Sequence, residues 1–357
     1  MSGVLEHPPH PKKPRNVAPK TVTRLAFFIF LLMIVETIMR IAILSRNKNL
    51  HSIRRLLQEA KRLGVECDVI DPLECQLVLE GKRRAIYYHG RELPYYDAVL
   101  PRIGASVTDY GLAVVKHFES LGTFVVNGSK AIAESRDKLR SLQVLSETGV
   151  RVPATVLARG SKNLRSALVA VKEMPVILKV LRGTQGVGVM LVHSPVSLAS
   201  VLETLNTLEE DVLIQEFLKK SAGRDYRVFV VGGTIVAAML RTAPKGEFRS
   251  NIHRGGEGTP VTLPTSYRRI AIRAAQAFGL GVAGVDLMEG PNGATVLEVN
   301  SSPGFEGIEK ATKKNIAAPI MRFVVGKARK KTRKKKPSRP SKRGSSRASS
   351  KRGRRTR

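Results

Sequence analysis

The chain has 357 residues, 42% of them hydrophobic, so it is long enough for two or three domains and is not disordered throughout. Its net charge of +32 is uneven: residues 327–357 contain 17 Lys and Arg and no acid, while residues 39–326 keep a net charge of +12. Two cysteines, Cys67 and Cys75, exclude a disulfide framework and lack the spacing of a metal site. The composition predicts a reduced, cytoplasmic globular protein with a basic appendage.

Residues 1–38 differ from the rest of the chain and are interpreted as an amino-terminal extension. The apolar run at 25–35 has 11 residues, roughly half of the number that a membrane-spanning helix needs. A short membrane anchor is one interpretation. The other, which we favour, is that the native protein starts at Met39, because MRIAIL is a plausible opening strand. No stable membrane insertion is expected.

Residues 39–128 alternate between short β-rich runs and amphipathic stretches, which is typical of an α/β fold. The β-rich runs are RIAIL, VECDVI, DAVLPRI and TFVVN, and helices are predicted around 51–63 and 112–121. This pattern predicts a first domain made of a small parallel sheet covered by helices.

Residues 129–326 form a second predicted domain with longer strands. A helical segment at 130–148 precedes strands that include PVILKVL, DVLIQEFL, YRVFVVGGTIVAAMLR, GVAGVDLM and ATVLEVN. Gly232 and Gly233, between two strand-like runs, predict a hairpin turn. Order is expected to end near Gly326. Residues 327–357 are predicted to be a disordered basic tail, because they cannot bury a core.

Three ionisable residues interrupt strands that otherwise look fully buried: Lys179, Asp286 and Glu298. Each needs a partner or an open site, because burying an isolated charge is prohibitive. Glu298 and Asn300 are two positions apart on one strand, so they project from the same face. With Asp286 they form a set of oxygen ligands suited to Mg²⁺ or Mn²⁺. Since magnesium also prefers substrate phosphates, the set points to a nucleoside triphosphate in the same cleft.

A glycine-rich segment, RGTQGVGV at 182–189, follows Lys179. Gly186 and Gly188 would let backbone N–H groups approach phosphate oxygens closely. The segment is not a P-loop, because the GK[ST] ending is absent, and an ordinary glycine-rich hairpin is the alternative. Lys179 on the preceding strand favours the phosphates of ATP.

Two further stretches suit a nucleotide. Glu216 and Phe217 end a strand, where backbone groups can hold a nucleobase; the alternative is a surface Glu and a core Phe. Asp225 would then accept from a ribose hydroxyl. In FRSNIHRGG, Arg249 suits a transferring phosphoryl group, whereas His253 taken alone is more often a structural hydrogen-bonding residue.

Together these motifs resemble the ATP-grasp ligases, and among them the RimK family, from Met39 to about Val325. The resemblance is carried by KVLRGTQGVGV, QEF with GRDYRVFVV, GEFRSNIHRGGEGTPV, and GVAGVDLM with LEVNSSPGFEGIEKAT. It implies an α/β architecture in which a Rossmann-like pre-ATP-grasp domain precedes an ATP-grasp domain. The implied site has an ATP-binding set of Lys138, Lys179, Glu216, Phe217, Asp225, Arg249, Ser250 and Asn251, a phosphate lid with Gly186 and Gly188, and the metal ligands Asp286, Glu298 and Asn300.

The resemblance also implies a reaction. Members of the RimK family add glutamate to the carboxyl terminus of small-subunit ribosomal protein six. The acceptor carboxylate attacks the γ-phosphoryl group of ATP, and the amine of L-glutamate then displaces phosphate from the acyl phosphate. Two Mg²⁺ or Mn²⁺ ions per subunit would neutralise the charge on the phosphates. The enzyme is expected to be a homo-oligomer.

Two other functions stay open at this point. A ligase of the same fold could act on another carboxylate, such as a free peptide, a carrier protein or poly-α-glutamate, because the nucleotide motifs do not determine the acceptor. A basic RNA-binding protein on a ligase scaffold is disfavoured, since 5% aromatic residues and no Trp offer few stacking platforms. The tail either makes a non-specific contact with ribosomal RNA or serves as a solubilising segment.

Overall fold

The amino-terminal part of the structure, a computed structural model that describes residues 38–104, 108–181, 188–250 and 255–335, is built on a parallel sheet. Its four strands lie in the order β2-β1-β6-β7, and every neighbouring pair is parallel. They are β1 (Arg40–Leu44), β2 (Glu66–Ile70), β6 (Ala98–Pro101) and β7 (Phe124–Val125). Two helices, α1 (His51–Arg62) and α2 (Thr108–Ser120), connect them. The sequence pattern predicted each of these elements.

A second, smaller sheet in this part was not predicted. It is antiparallel and contains β3 (Cys75–Glu80), β4 (Arg83–Tyr88) and β5 (Arg91–Glu92). Gly81 and Gly90 make its turns with φ values of 56° and 74°, a region that glycine enters at little cost. Its strands alternate weakly between buried and exposed residues, so the apolar periodicity gave little signal.

The helical segment predicted at 130–148 is two helices, which corrects that prediction. α3 (Ser129–Arg136) and α4 (Lys138–Glu147) are separated by Asp137. Asp137 has extended backbone angles (φ −71°, ψ 113°), and its side chain accepts from the Arg140 backbone N at 2.8 Å. An aspartate with this geometry is an N-cap that starts a new helix. The break places Lys138 in the first turn of α4.

The middle of the chain forms a four-stranded antiparallel sheet in the order β10-β9-β11-β8. The strands are β8 (Thr155–Ala158), β9 (Val176–Val180), β10 (Val189–Val192) and β11 (Val212–Glu216). Two helices, α5 (Leu164–Val171) and α6 (Pro195–Thr207), place Val171, Leu198 and Leu202 against the strands to make one apolar core. Lys179 lies near the end of β9, within this sheet.

A five-stranded antiparallel sheet in the order β14-β13-β12-β15-β16 carries most of the site. The strands are β12 (Arg224–Val231), β13 (Thr234–Thr242), β14 (Glu257–Pro260), β15 (Val282–Gly290) and β16 (Gly293–Asn300). Helix α7 (Thr265–Ala277) packs its alanines against one face. The predicted hairpin is confirmed: Gly232 and Gly233 join β12 to β13 with φ values of 58° and 79°, as a tight two-residue turn requires.

Helix α8 (Glu306–Thr312) follows the last strand, and α9 (Ala317–Lys335) ends the described chain. The prediction that order ends near Gly326 is wrong, because α9 continues nine residues further. Ala328 is fully buried, and Lys331 Nζ donates to the Gly122 carbonyl at 2.9 Å. These contacts stabilise a stretch whose charge alone predicts disorder. Residues 336–357 and the apolar run at 25–35 lie outside the described residues.

Among the helices that the structure describes, none is both long and apolar enough to span a membrane.

Candidate active site

Four charged side chains form a row across the five-stranded sheet, which we call the buried ion-pair cluster: Asp225, Arg227, Arg241 and Asp286. The strand register sets the row, because Arg227 lies opposite Asp286 and Asp225 lies opposite Arg241. Arg227 donates through Nε and Nη2 to the two oxygens of Asp286, the second at 2.6 Å. Arg241 donates to both oxygens of Asp225 and, through Nη2, to Asp286 Oδ2 at 2.8 Å.

The buried ion-pair cluster is internally neutral, since two guanidinium groups face two carboxylates. The side chains of Asp286, Asp225 and Arg241 are only 3–6% exposed. Burial alone would raise the pKa of Asp286, but the charges of Arg227 and Arg241 outweigh it and hold the pKa below its usual value. Burial raises the pKa of Asp225 despite its bonds to Arg241. Such a cluster is costly to break, because removing one partner leaves a buried charge unpaired.

A second group, the lysine–glutamate cluster, contains Lys138, Lys179 and Glu298. Glu298 lies opposite Asp286 in the strand register, and its Oε1 accepts from Asn300 Nδ2 at 3.0 Å. The side chain is 56% exposed, yet crowding protein atoms partly desolvate the carboxylate and, with Asp286, raise its pKa. The structure therefore brings the predicted residues Glu298, Asn300 and Asp286 together.

The two lysines reach this cluster from different elements. Lys179 comes from β9 and Lys138 from α4, where its Nζ donates to the Leu181 carbonyl at 2.7 Å. Desolvation lowers the pKa of Lys179; the charge of Glu298 opposes this shift and the charge of Lys138 adds to it. Burial also lowers the pKa of Lys138, and the charge of Glu298 opposes this shift. The two ammonium groups are thus partly desolvated within electrostatic reach of Glu298, and the charge of Asp137 also acts on Lys138.

Glu216 and Phe217 lie at the end of β11, and both are half-buried. Glu216 is held at the edge of the strand: its backbone N donates to the Ala154 carbonyl at 2.8 Å, and its Oε2 accepts from Ala154 N at 3.2 Å. The alternative of a surface Glu and a core Phe does not fit this half-buried position. A contact between these residues and a nucleobase stays a prediction.

Asp225 has a different environment from the one that sequence analysis assumed. Both of its oxygens accept from Arg241, and the residue is 4% exposed. The structure therefore places Asp225 inside the buried ion-pair cluster, and its predicted contact with ribose stays untested.

Arg249 lies beside the base of the glycine-rich segment. Its Nη2 donates to Glu247 at 2.8 Å, and its Nη1 to the Val189 carbonyl at 3.4 Å. The hydrogen bond from Arg249 lowers the pKa of Glu247 to about 2. Gly188 has φ 73°, and a Cβ there would lie 2.2 Å from Val180 Cγ2, so only glycine fits. Ser250 is buried, while Asn251, His253 and Gly186 fall outside the described residues.

Sequence analysis missed Arg227 and Arg241, which fix the position of Asp286. Both lie in strands of mixed polar and apolar residues and look like outward-facing positions. A usable signal was present, because Asp225 and Arg227 are two apart and so lie on the same face of β12. A carboxylate and an arginine on one face of a strand whose next four residues are buried indicate an internal ion pair.

Comparison with known proteins identifies the class to which this fold and site belong. Residues 39–132 match the model of the RimK pre-ATP-grasp domain, and residues 135–324 match that of the RimK-like ATP-grasp domain. The chain therefore belongs to the RimK family, whose members are ATP-grasp ligases. This confirms the predicted α/β architecture and the prediction of an ATP-dependent ligase.

Individual proteins agree with this membership. The chain is 50% identical over 291 residues to a protein of Saccharophagus degradans named "Probable alpha-L-glutamate ligase", a match that covers 82% of this chain and 97% of that one. Its fold is similar to that of a RimK domain protein from Sphaerobacter thermophilus, at a TM-score of 0.62, 23% identity and coverage of 80% and 100%. The ATP-grasp ligase PsnB, solved with a minimal precursor, Mg and ADP, gives a TM-score of 0.64 at 20% identity, covering 81% and 97%.

Proposed function

We propose that this chain joins L-glutamate to the carboxyl terminus of a protein, using ATP and an acyl phosphate intermediate. The observation that carries the proposal is the lysine–glutamate cluster, where two partly desolvated ammonium groups lie within electrostatic reach of the exposed Glu298, opposite Asp286 in the strand register. Relatives that are 50% identical along nearly their whole length and are named as glutamate ligases support the choice of amine.

In the proposed reaction the nucleotide lies between the two antiparallel sheets. Lys138 and Lys179 hold its phosphates, because a lysine that is desolvated near phosphate gains more from the interaction than an exposed one. Arg249 reaches the same phosphates from beside Gly188. Glu216 and Phe217 hold the base. The role of Asp225 is to fix Arg241, in addition to any contact with ribose.

The residues present fit a divalent cation with oxygen ligands. Glu298 and Asn300 offer a carboxylate and an amide carbonyl on one face of β16, and Asp286 lies opposite Glu298. Hard oxygen donors of this kind suit Mg²⁺ or Mn²⁺, and we propose two ions in each subunit. Bound there, the ions would neutralise charge on the phosphates during transfer. Arg227 and Arg241 keep Asp286 ionised and oriented.

No side chain is needed as a nucleophile in this scheme. The acceptor carboxylate attacks the γ-phosphorus and forms the acyl phosphate, with ADP leaving. The amine of L-glutamate attacks the carbonyl carbon, an amide bond forms, and phosphate leaves with its bonding electron pair. Excluding water protects the acyl phosphate from hydrolysis.

The acceptor we favour is small-subunit ribosomal protein six. A ligase acting on a different peptide is the second candidate, because the structural relative PsnB was solved with a precursor. We also propose that the protein is a cytoplasmic homo-oligomer and that the boundary between its two domains lies between residues 128 and 129. Its basic residues 327–357 would make a non-specific contact with RNA. Loss of ribosome co-sedimentation in a chain ending at Lys335 would support that contact, and retention at high salt would contradict it.

Glu298→Gln tests the proposed site most directly. The variant keeps the size of the side chain and removes the charge shared by the lysines and the metal, so acceptor-dependent ADP formation should fall at least about 100-fold. Mass measurement of ribosomal protein six should show a gain of glutamate with the wild-type enzyme only. Glu289→Gln, an exposed residue on the neighbouring strand β15, is the matched control. Wild-type turnover by Glu298→Gln would refute the assignment.

A further inference from the structure

The carboxyl edge of the parallel sheet meets the loop that follows β16. Arg102 comes directly after β6, and its backbone N donates to the Leu44 carbonyl at 2.9 Å. Asn127, just after β7, donates through Nδ2 to the carbonyls of Ser301 and Val282, each at 2.7 Å. In α/β proteins, ligands bind at the carboxyl ends of parallel strands. Here that edge lies against residues that directly follow the candidate metal ligand Asn300.

Arg102 occupies this edge without a neutralising acid. Its Nη2 donates to the Pro303 carbonyl at 2.7 Å, and its guanidinium carbon lies 5.8 Å from the centre of the Phe305 ring. Among the described residues, no carboxylate forms a salt bridge with it, and its buried Nε has no hydrogen-bond partner. Burial lowers the pKa of Arg102 to about 10, so the group stays a cation at neutral pH. A half-buried cation with a buried, unpaired N–H group favours an anion beside it.

Arg136, the last residue of α3, is a second arginine without an acidic partner among the described residues. It donates through Nη1 to the Gly104 carbonyl at 3.2 Å and to Thr108 Oγ1 at 2.7 Å, and through Nη2 to the Ile103 carbonyl. Its described partners are all neutral, and burial lowers its pKa. Arg136 thus holds the residues that directly follow Arg102 and adds positive charge to the edge.

A nearby group of three residues shows basic side chains that do have an acidic partner. On α1, His51 and Arg55 both bond Glu309 Oε2, at 2.9 and 3.2 Å. That group is complete, whereas Arg102 is not. The buried hydroxyl of Ser301, in the loop that Asn127 and Arg102 hold, also has no partner among the described residues. Three buried side-chain atoms in the described chain lack partners, and two of them are Arg102 Nε and Ser301 Oγ.

The chemistry of an arginine selects the kind of anion. A guanidinium group presents a planar fork that fits a carboxylate through two hydrogen bonds. The lysines already provide charge for the phosphates. In the proposed reaction L-glutamate reacts through its amine and brings two carboxylates that do not react. Those groups lose water on entering a closed site, so they need a cation there.

We propose that Arg102, supported by Arg136, binds a carboxylate of the incoming L-glutamate and so selects the amine substrate. The inference rests on the proposed function and deepens it. Held by Pro303, Arg102 directs the amine towards the acyl phosphate that forms beside Glu298 and Asn300. Arg136 is a positioning residue, because its hydrogen bonds hold the segment after Arg102.

The test compares two nucleophiles in one enzyme. Arg102→Gln is assayed with ATP, Mg²⁺ and ribosomal protein six, using either L-glutamate or hydroxylamine. Hydroxylamine attacks the same acyl phosphate to give a hydroxamate and phosphate, but it has no carboxylate. We expect kcat/KM for L-glutamate to fall about 100-fold, the range for removing one partner of a buried charge pair. Hydroxamate formation should stay close to that of the wild-type enzyme.

Two controls separate binding from structure. Arg159→Gln, whose exposed guanidinium pairs with Asp211, should leave both products unchanged. Arg102→Lys keeps a charge and a donor for the Pro303 carbonyl but lacks the fork, so it should restore only part of the glutamate activity. Full restoration by lysine would indicate a structural role and overturn the proposal.

Other outcomes also decide the matter. Equal loss with both nucleophiles in a folded variant, unchanged kinetics, or a raised KM for the acceptor in place of L-glutamate would each overturn the assignment. The last result would give Arg102 to the acceptor carboxylate. If the wild-type enzyme forms neither product, the proposed function fails as well, and the two failures are thereby distinguished.

Discussion

The buried ion-pair cluster and the lysine–glutamate cluster lie side by side, yet they treat charge in opposite ways. In the first, Asp286 has its charge satisfied by Arg227 and Arg241, and it is almost sealed from solvent. In the second, two lysines with lowered pKa values lie within electrostatic reach of the exposed Glu298. The carboxylates of the first cluster already have guanidinium partners, whereas the second, in the proposed function, would bind phosphate and a divalent cation. The first cluster is therefore interpreted as a support and the second as the proposed reactive surface.

Breaking the buried ion-pair cluster should have the largest effect on stability. Asp286→Asn leaves Arg227 and Arg241 with one carboxylate in place of two, so we expect the free energy of unfolding to fall by about 3–5 kcal/mol. Urea denaturation followed by circular dichroism measures this loss. Asp211→Asn, in the exposed pair with Arg159, is the control and should unfold at the wild-type midpoint. An Asp286→Asn variant of unchanged stability would show that the cluster is not a support.

Sequence reasoning identified the residues of the lysine–glutamate cluster more completely than those of the buried ion-pair cluster. Lys179, Asp286 and Glu298 were found because a charge inside an apolar strand violates the pattern of a buried core. Arg227 and Arg241 fit an ordinary alternating strand, so only the register between strands reveals that they face Asp286. Such pairing joins residues that are 45 to 59 positions apart, and local patterns do not carry that information.

Of the other differences, one had a local signal and two did not. Asp137 is a recognisable N-cap, and it could have split the predicted helix at 130–148. The extension of α9 to Lys335 had no such signal, because it depends on the burial of Ala328 and on Lys331 reaching Gly122. Arg102 lies in no motif, and its lack of an acidic partner is visible only in the folded chain.

Raising the pH should have a smaller and more specific effect, which acts on ATP binding through the lysine–glutamate cluster. Desolvation lowers the pKa of Lys179 below its usual value, so the ammonium loses its proton, and its hold on phosphate, at a lower pH than an exposed lysine would. The affinity for ATP should therefore decline as pH rises through that lowered pKa. Lys179→Arg keeps the charge at alkaline pH, so calorimetric titration with MgATP should show a weaker decline in the variant than in the wild-type protein, and the decline that remains belongs to Lys138. An identical pH dependence in both proteins would exclude Lys179 from phosphate binding.

A third buried ionisable group, the imidazole of His117, should have the smallest effect on stability. His117 on α2 is 6% exposed, and its Nε2 has no hydrogen-bond partner among the described residues. Burial lowers its pKa, so the imidazole binds a proton less readily in the folded protein than in the unfolded chain. The unfolded chain binds a proton near the ordinary pKa of about 6.5. It therefore holds more protons than the folded chain between the two pKa values, and stability falls as pH drops through that window.

We expect the urea midpoint of the wild-type protein to decrease between pH 7.5 and pH 5.5. His117→Gln keeps a polar side chain without a titratable ring, so the part of this decrease that belongs to His117 should disappear. His89→Gln, on the turn between β4 and β5, is the matched control, because that residue is exposed. If His117→Gln shows the same decrease as the wild-type protein, the buried imidazole is not its source. Asp286 would not be the source either, because a carboxylate that arginine holds ionised loses its contribution to stability only at much lower pH.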